Sequence, residues 1–213
     1  PLQRLVGKVQ RPVGADVDVK ISFGSDYIIQ TDANGRFDTQ IDLPALNSSG
    51  QPGLNYTVEG DDQGNGWRGV SIARLMPDTV TDVEVHLIGR GNLDVTVLQA
   101  DGSPANGAAV TITQRAFPYE QFSDIDNGAR NVLFPGVFAS PYSVCASFVS
   151  GATTIYGRAY VTVPLDATAV AVVTLAPTAT IIGTFLRQDL STVPFAQVSI
   201  GNLGFATTDA DGA

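Results

Sequence analysis

The chain has 213 residues and a formal net charge of −9, and 44% of its residues are hydrophobic against 15% charged. This balance supplies enough apolar side chains for a core and argues against disorder. Basic residues are few and scattered, with lysine at positions 8 and 20 alone. The composition therefore excludes a phosphate-binding surface, so we expect no nucleic acid partner. No run is long and apolar enough to predict direct membrane insertion.

Apolar and polar residues alternate with a period of two along the chain, as is typical of half-buried strands. In chain order the clearest runs are "VDVKI" (17–21), "VTDVEVHL" (80–87), "LDVTVL" (93–98) and "AAVTIT" (108–113). Between the runs lie many of the 22 glycines and 12 prolines, which favour turns. The sequence predicts an all-β fold of short strands.

The same pattern occurs three times. The segments "GADVDVKI" (14–21), "GAAVTITQ" (107–114) and "FAQVSIGN" (195–202) superimpose. Each is followed by a phrase rich in Asp, Asn and Gly: "TDANGRF" (31–37), "DIDNGAR" (124–130) and "TDADGA" (208–213). From Ala15 to Ala108 is 93 residues, and from Ala108 to Ala196 is 88. The repeat predicts two complete modules and the first part of a third.

Each complete repeat offers about seven strands, which predicts tandem seven-stranded Ig-like or transthyretin-like β-sandwiches, two complete and one partial. We place module 1 at 1–90, module 2 at 91–176 and the first part of module 3 at 177–213. Because both linkers are short, we expect a semi-rigid rod. An incomplete sandwich exposes strand edges, so we expect the natural polypeptide to continue or a neighbouring chain to complete module 3.

These landmarks resemble the carboxypeptidase regulatory-like domain, a transthyretin-like (prealbumin-like) sandwich of bacterial surface proteins that is related to collagen-adhesin B-type domains. The residues of module 1 that carry the resemblance are Val6, Gly7, Val9, Gly14, Ala15, Val17, Val19, Thr31, Asp32, Asn34, Gly35, Phe37, Leu43, Pro44, Tyr56 and Val58. The resemblance covers essentially the whole chain. It implies an extracellular or cell-surface location and a role in folding, spacing or adhesion, with no catalytic residues.

Collagen-adhesin B-type domains often carry an isopeptide bond between a lysine on the first strand and an asparagine on the last. This sequence departs from that pattern. Modules 2 and 3 contain no lysine, and the closing strand "TDVEVHL" of module 1 offers no asparagine to Lys8. We therefore expect no intramolecular cross-link.

The Asp/Asn/Gly phrase has two interpretations. Its oxygen-bearing side chains are candidate calcium ligands, namely Asp32, Asn34, Asp124, Asp126, Asn127, Asp209 and Asp211. The other interpretation is a turn, in which Asp caps its own backbone and Gly supplies a positive φ. We favour the turn, because the further ligands of an EF-hand loop are missing. A second acidic loop, "EGDDQGNG" (59–66), has Asp61, Asp62 and Asn65, and we interpret it as solvated.

Exposed aromatic residues would favour a glycan-binding site. Trp67 in "GNGWRGV" is the only tryptophan and the first candidate, although its glycine neighbours equally suit packing at the end of a sandwich. Phe117, Tyr119 and Phe122 cluster in "AFPYEQF", where a core or inter-module contact is the favoured interpretation over an adhesive patch.

Residues for catalysis are few. His86 is the only histidine and alternates with Val85, so it is predicted to face outward. One histidine cannot build an iron or zinc site of the usual kind, and no Gly-x-Ser-x-Gly motif accompanies it. Cys145, the only cysteine, alternates with Val144 and is interpreted as a small buried residue. We expect no enzyme and no cofactor.

The sequence thus predicts a non-catalytic structural repeat segment of a large extracellular bacterial protein, such as a stalk, filament or adhesin spacer. Its expected partners are the adjacent modules of the same chain. Two alternatives stay open: a carbohydrate- or glycan-binding module, and a filament subunit whose partial module is completed by a neighbouring chain.

Overall fold

A computed structural model describes residues 2–10, 18–23, 25–42, 53–128, 131–151, 153–176, 182–199 and 205–212. The sequence positions "GADV" (14–17) and "LPAL" (43–46) lie outside these ranges. Strands and turns account for the regular structure of the described residues, which contain no helix. The predicted all-β fold is confirmed. By contacts along the chain, residues 1–176 form one compact unit and residues 177–213 another.

Seven strands build the first sandwich. They are β1 (Leu2–Gln10), β2 (Asp18–Phe23), β3 (Ser25–Gln30), β4 (Arg36–Asp42), β5 (Leu54–Asp62), β6 (Trp67–Leu75) and β7 (Val80–His86). One sheet has the order β4-β1-β7 and the other β3-β2-β5-β6. All neighbours are antiparallel except β1 and β7, which run parallel.

Seven further strands build the second sandwich. They are β8 (Arg90–Leu98), β9 (Ala109–Gln114), β10 (Gln121–Ile125), β11 (Val132–Phe138), β12 (Pro141–Ser150), β13 (Thr153–Thr162) and β14 (Thr168–Thr174). The sheets have the orders β11-β8-β14 and β10-β9-β12-β13, with β8 and β14 parallel. Strand for strand this is the topology of the first sandwich, which confirms the tandem arrangement that the repeat predicts.

Each sandwich has its own core, formed by the inward residues of alternating strands. Leu5, Val58 and Val85 are fully buried in the first core, and Leu93 and Ile112 are fully buried in the second. Complete burial of one such side chain stabilises a fold by about 1.5–3 kcal/mol. The period-two pattern therefore does what the sequence predicts: it directs one face of each strand inward.

Gly7 shows how the first core tolerates a glycine on a central strand. A Cβ atom at Gly7 would lie 2.2 Å from the carbonyl oxygen of Val83 and 2.7 Å from Cζ of Phe37. Gly7 pairs with Phe37, and the corresponding pair of the second sandwich is Val95 and Val132. The large ring of Phe37 thus lies where the glycine leaves room, so the glycine of the motif "VG.V" is a packing requirement.

The unit at 177–213 contains a short hairpin of β15 (Gln197–Ser199) and β16 (Phe205–Thr207). It also repeats a turn of the second sandwich. Asp101 Oδ1 accepts hydrogen bonds from the amide and hydroxyl of Ser103 at 2.9 and 2.6 Å, and Asp189 Oδ1 accepts them from Ser191 at 3.0 and 2.6 Å. This match agrees with the repeat seen in the sequence.

Candidate functional site

The connection between β7 and β8 is hydrogen-bonded on both sides. On one side, Ile88 N donates to Arg68 O of the first sandwich at 2.7 Å. On the other side, Gly89 O accepts a bond of 2.8 Å from Ala139 N of the second sandwich. A short segment held in this way has little freedom to bend. We call the residues around it, 66–68, 88–91, 117, 136–139 and 165, the joint.

Arg90 is the central side chain of the joint. Its Nε donates to the carbonyl oxygen of Gly66 at 3.0 Å, and its Nη1 donates to that of Gly136 at 2.6 Å. Its guanidinium carbon lies 4.1 Å from the ring centroid of Phe138. Hydrogen bonds from a charged donor are stronger than neutral ones, and the cation–π contact adds to them. One side chain therefore bonds to the main chain of both sandwiches.

Trp67, the glycan candidate, lies in this joint. It is half-buried. A Cβ atom at Gly89 would lie 3.3 Å from Cε2 of the indole and 2.2 Å from Cδ1 of Leu165. The glycine thus leaves space for two side chains that come from different sandwiches. This geometry gives Trp67 a packing role, and its glycan role stays a prediction.

A second arginine reaches across the joint. Arg68 Nη2 pairs with Glu59 Oε2 at 3.2 Å, and its guanidinium carbon lies 5.3 Å from the ring centroid of Phe117. Phe117 is half-buried and contacts Arg68 of the other sandwich, which agrees with the interpretation of its cluster as a core or inter-module contact. Its neighbours differ, since Tyr119 is 68% exposed and Phe122 is 37% exposed.

The calcium candidates of the first turn already have partners. Asp32 Oδ1 accepts hydrogen bonds from the amides of Asn34 at 2.8 Å and Arg36 at 2.9 Å. These bonds, that of Arg36 first, hold the pKa of Asp32 below its ordinary value. Gly35 has a φ of 72°, which a residue with a side chain rarely adopts. The arrangement is that of an Asx turn.

The third copy of the phrase has the same geometry, and the second copy shares the bond from the amide two residues after the Asp. Asp126 Oδ1 accepts from Gly128 N at 2.9 Å, and Asp209 Oδ1 accepts from Asp211 N at 2.8 Å. Asp124 Oδ1 accepts from the amide of Ile125. Within the part of the chain that the structure describes, no three His, Cys, Asp or Glu side chains lie together as a metal site would require. Calcium binding stays an untested alternative to the turn.

The acidic loop at 59–66 is organised by Asp62. The interpretation of the loop as solvated is wrong at this residue, which is buried and whose Oδ1 accepts from the amides of Gly64 at 3.1 Å and Asn65 at 3.4 Å. Its Oδ2 accepts from Asn65 Nδ2 at 3.0 Å. The loop therefore presents Gly66 to Arg90 in a fixed conformation.

The structure corrects the expectation for Cys145. Val144 is buried, but Cys145 points to the opposite face of the sheet and is half-buried. Alternation places neighbouring residues on opposite faces, so both could not enter one core. His86 is exposed as predicted, with Nε2 3.6 Å from Glu84 Oε2.

Sequence reasoning missed one further group, on the outer face of β13. Tyr156, Arg158 and Tyr160 occupy successive outward positions of this strand, and all three are exposed. The segment "YGRAY" (156–160) contains the signal, since its large residues recur with a period of two. These three residues can be recognised as one exposed face only when the pairing of β13 with its neighbouring strand is known.

None of the described residues form a helix that is long and apolar enough to cross a membrane. No family model and no curated protein matches the chain. Its resemblance to carboxypeptidase regulatory-like domains therefore stays a prediction.

Several solved structures are similar to it. A streptococcal ancillary pilin is 12% identical, with 83% of this chain and 63% of that chain covered and a TM-score of 0.41. The TIE protein of Bacillus anthracis is 9% identical, with 99% and 42% covered and a TM-score of 0.34. BcpA, the major pilin subunit of Bacillus cereus, is 8% identical, with 82% and 98% covered and a TM-score of 0.32. The chain spans less than two thirds of the first two, and similarities this low assign no function.

Proposed function

We propose that this chain is a non-catalytic structural repeat segment of a large extracellular bacterial protein. In this proposal residues 1–90 and 91–176 are modules that set a fixed spacing, and residues 177–213 begin a third module. The observation that carries the proposal is the side chain of Arg90, which bonds to Gly66 in one sandwich and Gly136 in the next. Two modules joined by a flexible linker would not need a side chain that bonds to both of them. We call this pair of hydrogen bonds from Arg90 the clamp.

The surface chemistry supports the same role. A net charge of −9 keeps neighbouring copies apart and soluble. The carboxylates with described hydrogen bonds in the Asp/Asn/Gly turns accept from backbone amides, so they stabilise turns without forming a reactive cluster. The resemblance to carboxypeptidase regulatory-like domains supports an extracellular or cell-surface location.

The experiment is a measurement of the distance between the two sandwiches. Cys145→Ser removes the native thiol, and Asp82→Cys with Val170→Cys places spin labels on exposed positions of β7 and β14. Pulsed electron resonance should give one narrow distance distribution. Arg90→Ala should broaden that distribution, because the clamp is lost.

Arg74→Ala is the matched control, since Arg74 is an exposed arginine of β6 outside the joint. It should leave the distribution narrow. A parent distribution as broad as that of Arg90→Ala would show that the sandwiches move independently, and the spacer role would be wrong.

A second candidate concerns residues 177–213. Ile182, Leu190 and Phe195 are 88%, 77% and 73% exposed. Several large apolar side chains exposed in one short segment favour cover by further strands. We propose that strands from outside residues 177–213 cover them, and in the filament-subunit alternative these strands come from a neighbouring chain. Sedimentation should then show association that Phe195→Ser weakens, whereas a monomer at every concentration would contradict this candidate.

A further inference from the structure

The outer face of β13 carries two tyrosines with an arginine between them. Tyr156 and Tyr160 are 64% and 62% exposed, and Arg158 lies at the outward position midway along the strand. Strand geometry separates successive outward residues by about 6.6 Å, so the two tyrosines stand about 13 Å apart. The rings and the cation therefore follow one straight line.

A second cation lies beside this line. The guanidinium carbon of Arg115 lies 5.1 Å from the ring centroid of Tyr160. The pKa of Arg158 is raised by its interactions with Cys145 first and Tyr160 next. In the described part of the chain, neither Arg115 nor Arg158 forms an ion pair with a carboxylate. Arg158 interacts with Cys145 and Tyr160, but no described carboxylate neutralises either cation, so both can attract an anion.

The first sandwich differs from the second in the middle of this face, although its β6 also has arginines at outward positions, Arg68 and Arg74. Arg158 pairs with Cys145, and the corresponding pair in the first sandwich is Val70 and Glu59. At these two positions the first sandwich has a carboxylate and an apolar side chain, whereas the second has a thiol and a guanidinium. Arg158 thus lies where the first sandwich has Val70, and Cys145 lies where it has Glu59, the carboxylate that pairs with Arg68.

Several residues beside the line are small and hydroxylated, with Cys145 and the exposed Val149 between or beyond them. The partners of Tyr160 and Tyr156 on β12 are Ser143 and Ser147. Farther across the sheet, Ser143 pairs with Thr113. The outward positions of β9, β12 and β13 contain no Asp or Glu. In a chain with 21 acidic residues, this face attracts anions and offers hydroxyl groups for hydrogen bonds.

We propose that this face of the second sandwich, formed by Arg115, Tyr156, Arg158 and Tyr160, binds a linear polysaccharide that carries carboxylates. Sugar rings would pack on the two tyrosines, and carboxylates would accept hydrogen bonds from the two arginines. A polymer fits better than a compact ligand, because the groups form a line on an open sheet face and not a concave pocket. This binding role is independent of the spacer role.

A protein partner fits less well. The centre of a protein interface is apolar and closely packed, whereas the cross-strand neighbours of these rings are serines, with Val149 the one large apolar residue exposed on this part of β12. The serine hydroxyls suit a ligand that is itself rich in hydroxyls. An acidic surface of a second copy of this chain is the competing occupant, and the experiment separates the two.

The test uses the 213-residue chain immobilised for binding measurements with polygalacturonate and alginate, and with neutral dextran of similar length. The two carboxylated polymers should bind, with affinity falling as salt rises, and dextran should not. Arg158→Val and Cys145→Glu introduce the residues of the first sandwich at the same positions. Each should weaken binding by about tenfold or more.

Arg74→Val is the matched control, because it removes an exposed arginine of the first sandwich and should leave affinity unchanged. Circular dichroism checks that every variant is folded. Absence of binding at low salt, equal binding of dextran, or full binding by Arg158→Val would overturn the proposal. Salt-sensitive self-association that Arg158→Val abolishes, without polysaccharide binding, would assign the face to a second copy and also overturn it.

Discussion

Arg90 and Gly66 belong to different sandwiches, and the Nε of Arg90 donates a hydrogen bond of 3.0 Å to the carbonyl oxygen of Gly66. The same guanidinium bonds to Gly136 and lies over the ring of Phe138. Arg90 is half-buried, so water replaces these contacts poorly when the side chain is removed. The two sandwiches should therefore stabilise each other through this residue.

We predict that Arg90→Ala lowers the free energy of unfolding by about 2–4 kcal/mol, because it removes two hydrogen bonds from a charged donor. Calorimetry should show one coupled transition of the two sandwiches in the parent and two separated transitions in the variant. Arg90→Lys should be intermediate, since an ammonium lacks the fork that reaches two carbonyls. If Arg90→Ala keeps the stability of the parent and its single coupled transition, Arg90 does not hold the two sandwiches together.

The two glycines that flank Arg90 should differ in their tolerance of alanine. A Cβ at Gly91 would lie 2.2 Å from the carbonyl oxygen of Pro164 and 2.7 Å from that of Ala167. At Gly89 the nearest atom, also at 2.2 Å, is the end of the exposed side chain of Leu165. Backbone cannot move aside as a flexible side chain can.

We therefore predict that Gly91→Ala lowers the unfolding free energy by about 1–3 kcal/mol or more, the cost of overpacking, and that Gly89→Ala costs clearly less. Chemical denaturation of both variants measures the difference. Gly107→Ala serves as a comparison with open space around the new methyl group but a φ of 88°. An equal cost at positions 89 and 91 would contradict this account of the joint.

Local features of the fold were predictable because short segments determine them. Asp32 and Gly35 lie three residues apart, and the bonds they need are within the same turn. Alternation likewise places Leu93 and Val95 on one face of a strand without reference to the rest of the chain. Because the sequence pattern repeats, the same local predictions also applied to the second sandwich.

Features that depend on long-range pairing were not predictable. The sequence pattern allowed either Val144 or Cys145 to face the core, and only the pairing of β12 with both neighbours decides between them. Trp67 and Gly89 lie far apart in sequence, and their contact requires the relative position of two strands and a linker. For the same reason the line of Tyr156, Arg158 and Tyr160 was missed.

Replacement of Asp32 should test the turn against the calcium interpretation. Because backbone amides hold the pKa of Asp32 below its ordinary value, its contribution to stability is present above that ordinary value of 3.8 and is lost as the pH falls through the lower folded value. We predict that Asp32→Ala lowers the midpoint of thermal unfolding at pH 7 and removes this part of the acid sensitivity.

Calcium should leave the midpoint of the parent unchanged, because the amides of Asn34 and Arg36 already occupy Asp32 Oδ1. Thermal unfolding with added calcium and with a chelator measures this. A rise in the midpoint with calcium that Asp32→Ala abolishes would instead establish a metal site in the turn. Asp82→Ala, outside the repeated phrase, controls for a general effect of removing an exposed carboxylate.

The hydroxyl of Tyr142 is buried and, among the described residues, makes no hydrogen bond of good geometry, although the backbone of Phe138 lies close enough to lower its pKa slightly. Burial first, and then the negative charge of Glu120, raise the pKa of Tyr142 to about 12. We predict that Tyr142→Phe is neutral or stabilises the protein by about 1 kcal/mol at pH 7, because it removes a desolvated polar group and leaves the ring in place.

The same residue should add a pH dependence at high pH. Because the folded pKa of Tyr142 lies above its ordinary value of 10.0, the folded state holds this proton more tightly than the unfolded state does. The contribution of this proton to the free energy of unfolding is complete below about pH 10 and is lost as the pH rises through about 12. Denaturant unfolding at pH 9 and 11 should therefore show a larger loss for the parent than for Tyr142→Phe. Tyr119→Phe, at an exposed ring, should behave as the parent. A clear loss of stability in Tyr142→Phe at pH 7 would show that the hydroxyl is hydrogen-bonded after all.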